Sequence, residues 1–191
     1  GGVITANACD EFVALAEYLS VPVVTSLMGK GGIPDNHPLY AGQVGTICNT
    51  PYGNKIFLES DLVLGVGCRF SDRHTGTLDV YTRGRKFIHI DIEPTQIGRI
   101  IPADLGIVAD AKLALQALLK MATEMTTPRK ADERVSAIPE MRVRHARRLD
   151  FDQIPIKPQR VFKEINEFFD DDTVFVTCIG LNQIWSSQFQ R

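Results

Sequence analysis

Four short runs of nearly continuous apolar residues constrain this chain most: VPVVTS (21–26), DLVLGVG (61–67), KFIHIDI (86–92) and LGIVAD (105–110). Runs that do not alternate with polar residues suit strands covered on both faces, the condition of a parallel sheet between layers of helix. Helical spacing fills the intervals. Phe12, Leu15, Ala16 and Leu19 recur on one face of a helix, as do Leu115, Leu118, Leu119 and Ala122. The β-α-β-α order predicts an α/β fold with a doubly wound parallel sheet.

A change of texture divides the chain. Residues 1–125 carry the alternating pattern. Residues 126–155 are rich in Arg, Lys, Glu, Thr and Pro and read as an interdomain linker with helical portions. From 156 to 191 a second α/β pattern opens: Val161, Phe162, Ile165, Phe168 and Phe169 form a helical stripe, TVFVTCIG (173–180) reads as a buried strand, and LNQIWSSQFQR starts a helix. The opening GGVI resembles a loop that follows a strand, yet no strand precedes it. The expectation is a piece of a longer protein, its second domain truncated after one strand.

Composition narrows the partners. A net charge of -2 over 191 residues offers no global attraction for nucleic acid or an anionic membrane. No apolar stretch approaches the roughly 20 residues of a membrane span. Cys9, Cys48, Cys68 and Cys178 show no C-x-x-C spacing, which suits reduced cytoplasmic thiols and no metal site.

Open α/β sheets bind ligands beyond the carboxyl ends of their strands, so the loops after the four runs should face one crevice. The most informative is GVGCRFSDRHTG (65–76). It begins as a dinucleotide fingerprint, Gly65-x-Gly67, but Phe70 replaces the third glycine and Arg69 and Arg73 follow. Two arginines can neutralise a phosphate pair. Asp91, at a strand end, could accept hydrogen bonds from ribose hydroxyls, and the helix starts behind Asp110 and behind Glu93-Pro94 would offer free amides. Together these loops describe an elongated, phosphate-containing nucleotide. The competing account has the glycines making turns, the arginines pairing with Asp72 or Asp79, and Asp91 and Asp110 capping helices.

Other candidates are weaker. His37, His74 and His89 have no metal-ligand spacing and read as structural. The four arginines of MRVRHARRLD, 142 to 148, read as a solvated or interdomain helix face. Cys68 adjoins Arg69 but has no base beside it in sequence, and no catalytic triad or carboxylate pair is evident.

GG at the start, TSLMGKGGIPDNHPLYAGQVG, GCRFSDRHTG, HIDIEPTQIGR and VADAK, in this order, resemble the central domain of the thiamine-diphosphate-dependent acetohydroxyacid synthase family. The resemblance covers essentially the whole chain. RHTG, HIDIEPTQIGR, KPQRVF and IGLNQIW look most like the glyoxylate-joining branch, whereas acetolactate synthases, the runner-up, usually read closer to RFDDRVTG and VGQHQMW.

The resemblance implies a Rossmann-like central domain holding FAD, which plays no net redox part, between two thiamine-binding domains. It implies FAD contacts for Gly1, Gly2, Ser26, Leu27, Val44, Gly45, Thr46, Gly67, Arg69, Arg73, Asp91, Ile92, Gln96, Asp110 and Ala111. Gly180, Leu181 and Asn182 would stand where relatives touch thiamine diphosphate. The parent would carry thiamine diphosphate and Mg²⁺, form a homo-oligomer, and condense two glyoxylates to tartronate semialdehyde and CO₂. No catalytic residue is expected in this chain, which alone would be inactive. A reading from another class is a free-standing nucleotide-binding or interaction module without catalysis.

Overall fold

A computed structural model describes residues 1–170 and 172–190. Five strands form among the described residues, all paired in parallel. β1 (Val23–Thr25) pairs with β2 (Tyr40–Gln43), and β3 (Leu62–Val66), β4 (Lys86–Asp91) and β5 (Leu105–Val108) form a three-stranded sheet in that order. The β3–β4 register runs from Leu62↔Lys86 to Val66↔Ile90, and the β4–β5 register from Ile88↔Leu105 to Asp91↔Val108. Their carboxyl ends therefore share one edge, as the sequence reading expects.

The middle strand is covered on both faces. Ile90 packs on the side of α1 (Gly2–Thr5), α2 (Cys9–Leu19) and α6 (Ala111–Met125), in a core with Val3, Leu15 and Leu115. Phe87 lies in a second core with Val44, Phe57, Phe70, Tyr81 and Ile101, built from α3 (Pro51–Leu58), α5 (Leu78–Thr82) and the loops around them. Alternate residues of one strand thus feed opposite layers. Burying Phe87 and Ile90 completely contributes roughly 1.5–3 kcal/mol each.

Two helices begin on clear signals. The Asp110 carboxylate caps α6, accepting from the amides of Lys112 at 2.9 Å and Leu113 at 3.1 Å. Thr50 caps α3 by accepting from the Gly53 amide, with Pro51 at the first helical position.

Residues 126–155, expected to be a linker, are helical in part, as α7 (Glu133–Ser136) and α8 (Ile138–Arg144). Val135 and Ile138 seal a third core beneath β1 and β2 with Ile33, Leu39 and Tyr40. Arg142 donates to the carbonyls of Asp35 and His37 and lies over the Tyr40 ring, whereas Arg144 and Arg148 pair with the exposed carboxylates of Glu140 and Asp150. Farther on, α9 (Pro158–Phe168) packs on α10 (Leu181–Phe189) through Phe162 and Phe189, and the Gln188 amide reaches the Ile47 carbonyl at 2.8 Å.

Two expectations need correction. Residues 173–180 form no strand, and Val174, Val176 and Ile179 are exposed. A β-rich composition makes a strand only when a ladder partner is present, and none lies beside this run among the described residues. Conversely, β2 comes from YAGQ, which has no apolar run. A register shift against β1 accommodates it, and all four residues are buried. One further helix, α4 (Asp72–Thr75), carries Arg73.

Candidate functional site

The C-terminal ends of β3, β4 and β5 open onto a cleft of about 1220 Å³, which exceeds the roughly 300–1,000 Å³ usual for small-ligand sites and suits an extended molecule. Its floor is a backbone crossing. The Gly2 amide donates to the Gly67 carbonyl at 3.0 Å, and a Cβ on Gly67 would lie 2.5 Å from Gly2 Cα. Gly67 also has φ +56°, so neither chain tolerates a side chain there. Gly1 extends this floor.

Arg69 and Arg73 form one wall. Among the described residues neither guanidinium makes a hydrogen bond or ion pair, and the alternative partners Asp72 and Asp79 do not engage them. Both side chains are exposed, so water solvates them in the free chain, and two such cations on one wall can bind an anion; a diphosphate offers the paired oxygens that guanidinium forks suit.

Ile92, Asp91, Asp110 and Ala111 line the end formed by β4 and β5. Asp91 is buried. Its Oδ1 accepts from the Glu93 amide at 3.0 Å, and its Oδ2 lies 3.9 Å from His89 Nε2. That ring nitrogen also approaches the Cys68 carbonyl at 3.0 Å. Burial holds the His89 pKa down despite the carboxylate, so the neutral ring donates Nε2–H to that carbonyl. Asp110 does cap its helix, but the cap occupies Oδ1 alone.

Ser26, Leu27 and Val44 face the same space from the β1 and β2 loops, and Gly180 and Leu181 reach it from the start of α10. Gly45, Thr46, Gln96 and Asn182 lie outside the lining. Gly45 exchanges hydrogen bonds with Asn54, and Thr46 holds the Arg73 carbonyl through its amide at 3.2 Å and hydroxyl at 2.7 Å. Gln96 has a buried oxygen without a partner, and Asn182 turns back toward Cys178. Ile47, Cys48, Ser71, Gln183 and Ile184 also line the cleft, although the sequence reading passed over them. Ile47 and Cys48 merely continue the Val44–Thr46 loop, and that continuity was the available signal.

Deeper in the wall, His74 Nε2 is 2.9 Å from the Tyr81 hydroxyl, and burial lowers its pKa to about 4. Burial likewise pushes the Cys68 thiol up, which keeps it protonated and poorly nucleophilic. These groups can bind and orient; none is poised for proton transfer. The glycine cradle, the unpaired guanidiniums and the buried carboxylate fit a dinucleotide such as FAD. Among the described residues no cluster of three or more His, Cys, Asp or Glu side chains could hold a metal ion.

The chain belongs to the family "Thiamine pyrophosphate enzyme, central domain", whose profile matches residues 1–118. It is 49% identical over 191 residues to a glyoxylate carboligase of Escherichia coli O157:H7, covering 98% of this chain and 32% of that protein. Against probable acetolactate synthase large subunits the identity is 40% over 197 residues in Methanocaldococcus jannaschii and 37% over 202 residues in Methanococcus aeolicus. Each of those alignments covers 99% of this chain. The chain spans about a third of the length of these relatives, covering 33% and 34% of the latter two.

Proposed function

We propose that this chain is the FAD-holding central domain of a thiamine-diphosphate-dependent carboligase that joins two glyoxylates, with uptake of one proton, to give tartronate semialdehyde and CO₂. The observation that carries the FAD assignment is the unpaired Arg69–Arg73 wall in one cleft with the buried Asp91 carboxylate. Higher identity to the glyoxylate carboligase than to the acetolactate synthases favours glyoxylate.

Arg69 and Arg73 would neutralise the diphosphate, the Gly2–Gly67 crossing would let it approach the backbone, and Asp91 would orient a ribose. FAD would act in place without net redox change. Decarboxylation chemistry comes from thiamine diphosphate, which Gly180, Leu181 and Asn182 would touch from this chain while the rest of its site and Mg²⁺ belong to other parts of a cytoplasmic, homo-oligomeric parent. This chain's role is then to bind and position, and it would not turn over substrate by itself.

The test supplies the full-length protein with thiamine diphosphate, Mg²⁺ and FAD, then offers glyoxylate or pyruvate. FAD-dependent CO₂ release with tartronate semialdehyde as the glyoxylate product supports the proposal. Preference for pyruvate with acetolactate as product would assign the synthase activity instead, and turnover indifferent to FAD would contradict the flavin role.

A further inference from the structure

We infer that Phe70 is the positioning residue that aims Arg69 and Arg73 into the cleft. The inference rests on the dinucleotide reading of that cleft. It starts from a conformational outlier: Phe70 has φ +51°, left-handed backbone that costs a bulky residue roughly 1–2 kcal/mol and persists only where the surroundings over-determine it.

The surroundings do so. Phe70 is 3% exposed, and its ring meets His89 edge-on at 4.9 Å between centroids, Phe87 at 6.1 Å, and His74 and Tyr81 at 6.2 Å each. Against its tip lies Gly65, where a Cβ would come 2.5 Å from Cζ. The ring is therefore anchored from β3, β4, α4 and α5 together.

That anchor lies between the two arginines. On one flank, His89 grips the Cys68 carbonyl, one residue before Arg69. On the other, Thr46 grips the Arg73 carbonyl and Tyr81 holds His74, one residue after Arg73. Among the described residues neither guanidinium has a partner that orients its head, so the backbone from 69 to 73 sets the points and directions from which the two side chains start. The left-handed turn at Phe70 sets that path. A glycine at position 70 could adopt this backbone angle without the anchor; here one residue supplies both.

The test is a double-mutant cycle on FAD and ADP affinity, measured by calorimetric titration with wild type, Phe70→Leu, Arg69→Ala/Arg73→Ala and the combined variant. Phe70→Leu should weaken both ligands about tenfold, the worth of one misplaced charge-assisted contact, and flatten the salt dependence of binding. In the arginine-less background the same substitution should change affinity less than about twofold. Phe70→Gly, which keeps the backbone angle and removes the ring, should behave like Phe70→Leu and serves as the second variant should Leu impair folding. Equal losses in both backgrounds, or an unchanged salt slope, would overturn the positioning role while leaving the dinucleotide reading intact. If ADP binds and FAD does not, the FAD assignment fails and the cycle is judged on ADP. A folded chain that binds neither contradicts both.

Discussion

Gly65 and Phe70 are a matched pair: a Cβ on Gly65 would lie 2.5 Å from Cζ and 3.1 Å from Cε2 of the Phe70 ring. The first glycine of the broken fingerprint makes room for the aromatic residue that stands at the place of the third. The ring is fenced by four aromatic neighbours and cannot retreat.

Gly65→Ala should therefore destabilise the chain by roughly 1–3 kcal/mol, the usual cost of overpacking. Phe70→Leu placed in the same chain should recover part of the loss, because a smaller side chain vacates the clash. Urea midpoints of the two single variants and the double variant check this; strictly additive effects would show that the pair does not interact.

Gly67→Ala should cost more than about 1 kcal/mol in urea unfolding, since the new methyl meets the Gly2 backbone and the residue holds φ +56°. Flavin affinity should fall with it. An alanine chain as stable as wild type would mean that the crossing relaxes without consequence.

Acid sensitivity should arise at His74. Its folded pKa is lowered by burial from 6.5 to about 4, so the folded protein keeps it neutral while the unfolded chain takes up a proton as pH falls below 6.5. The contribution to stability is complete above pH 6.5 and is lost between 6.5 and 4, on the order of 3 kcal/mol. His89, also lowered, acts in the same direction. Urea midpoints from pH 7.5 to 4.5 should fall more steeply for wild type than for His74→Gln. Parallel curves would contradict the assignment.

The cap of α6 is a local prediction. Asp110→Ala frees the amides of Lys112 and Leu113 and should cost about 1 kcal/mol, whereas Asp110→Asn should restore most of it. Thermal unfolding of both variants decides it.

What could be read in the sequence follows physical lines. The runs around β3, β4 and β5 declare themselves because a strand buried on both faces must be apolar throughout. β2 was hidden because YAGQ owes its place to the fit against β1 and the Thr50 hydroxyl, not to propensity. The exposed TVFVTCIG run is the converse, strand-forming residues without a partner. At the cleft, glycines and charged residues at strand ends announce themselves. Thr46 bears on it only through the Arg73 carbonyl, and no local pattern encodes that contact. The role of Phe70 was hidden for a different reason, since it looked like the defect in a motif.

The most direct test of the account is titration of this chain with FAD, followed by flavin fluorescence, beside the Arg69→Ala/Arg73→Ala variant. The account predicts saturable binding by wild type and at least a tenfold loss in the variant, the worth of roughly one charge-assisted contact or more. Binding of equal strength by both would contradict it, because the unpaired guanidinium wall would then hold nothing.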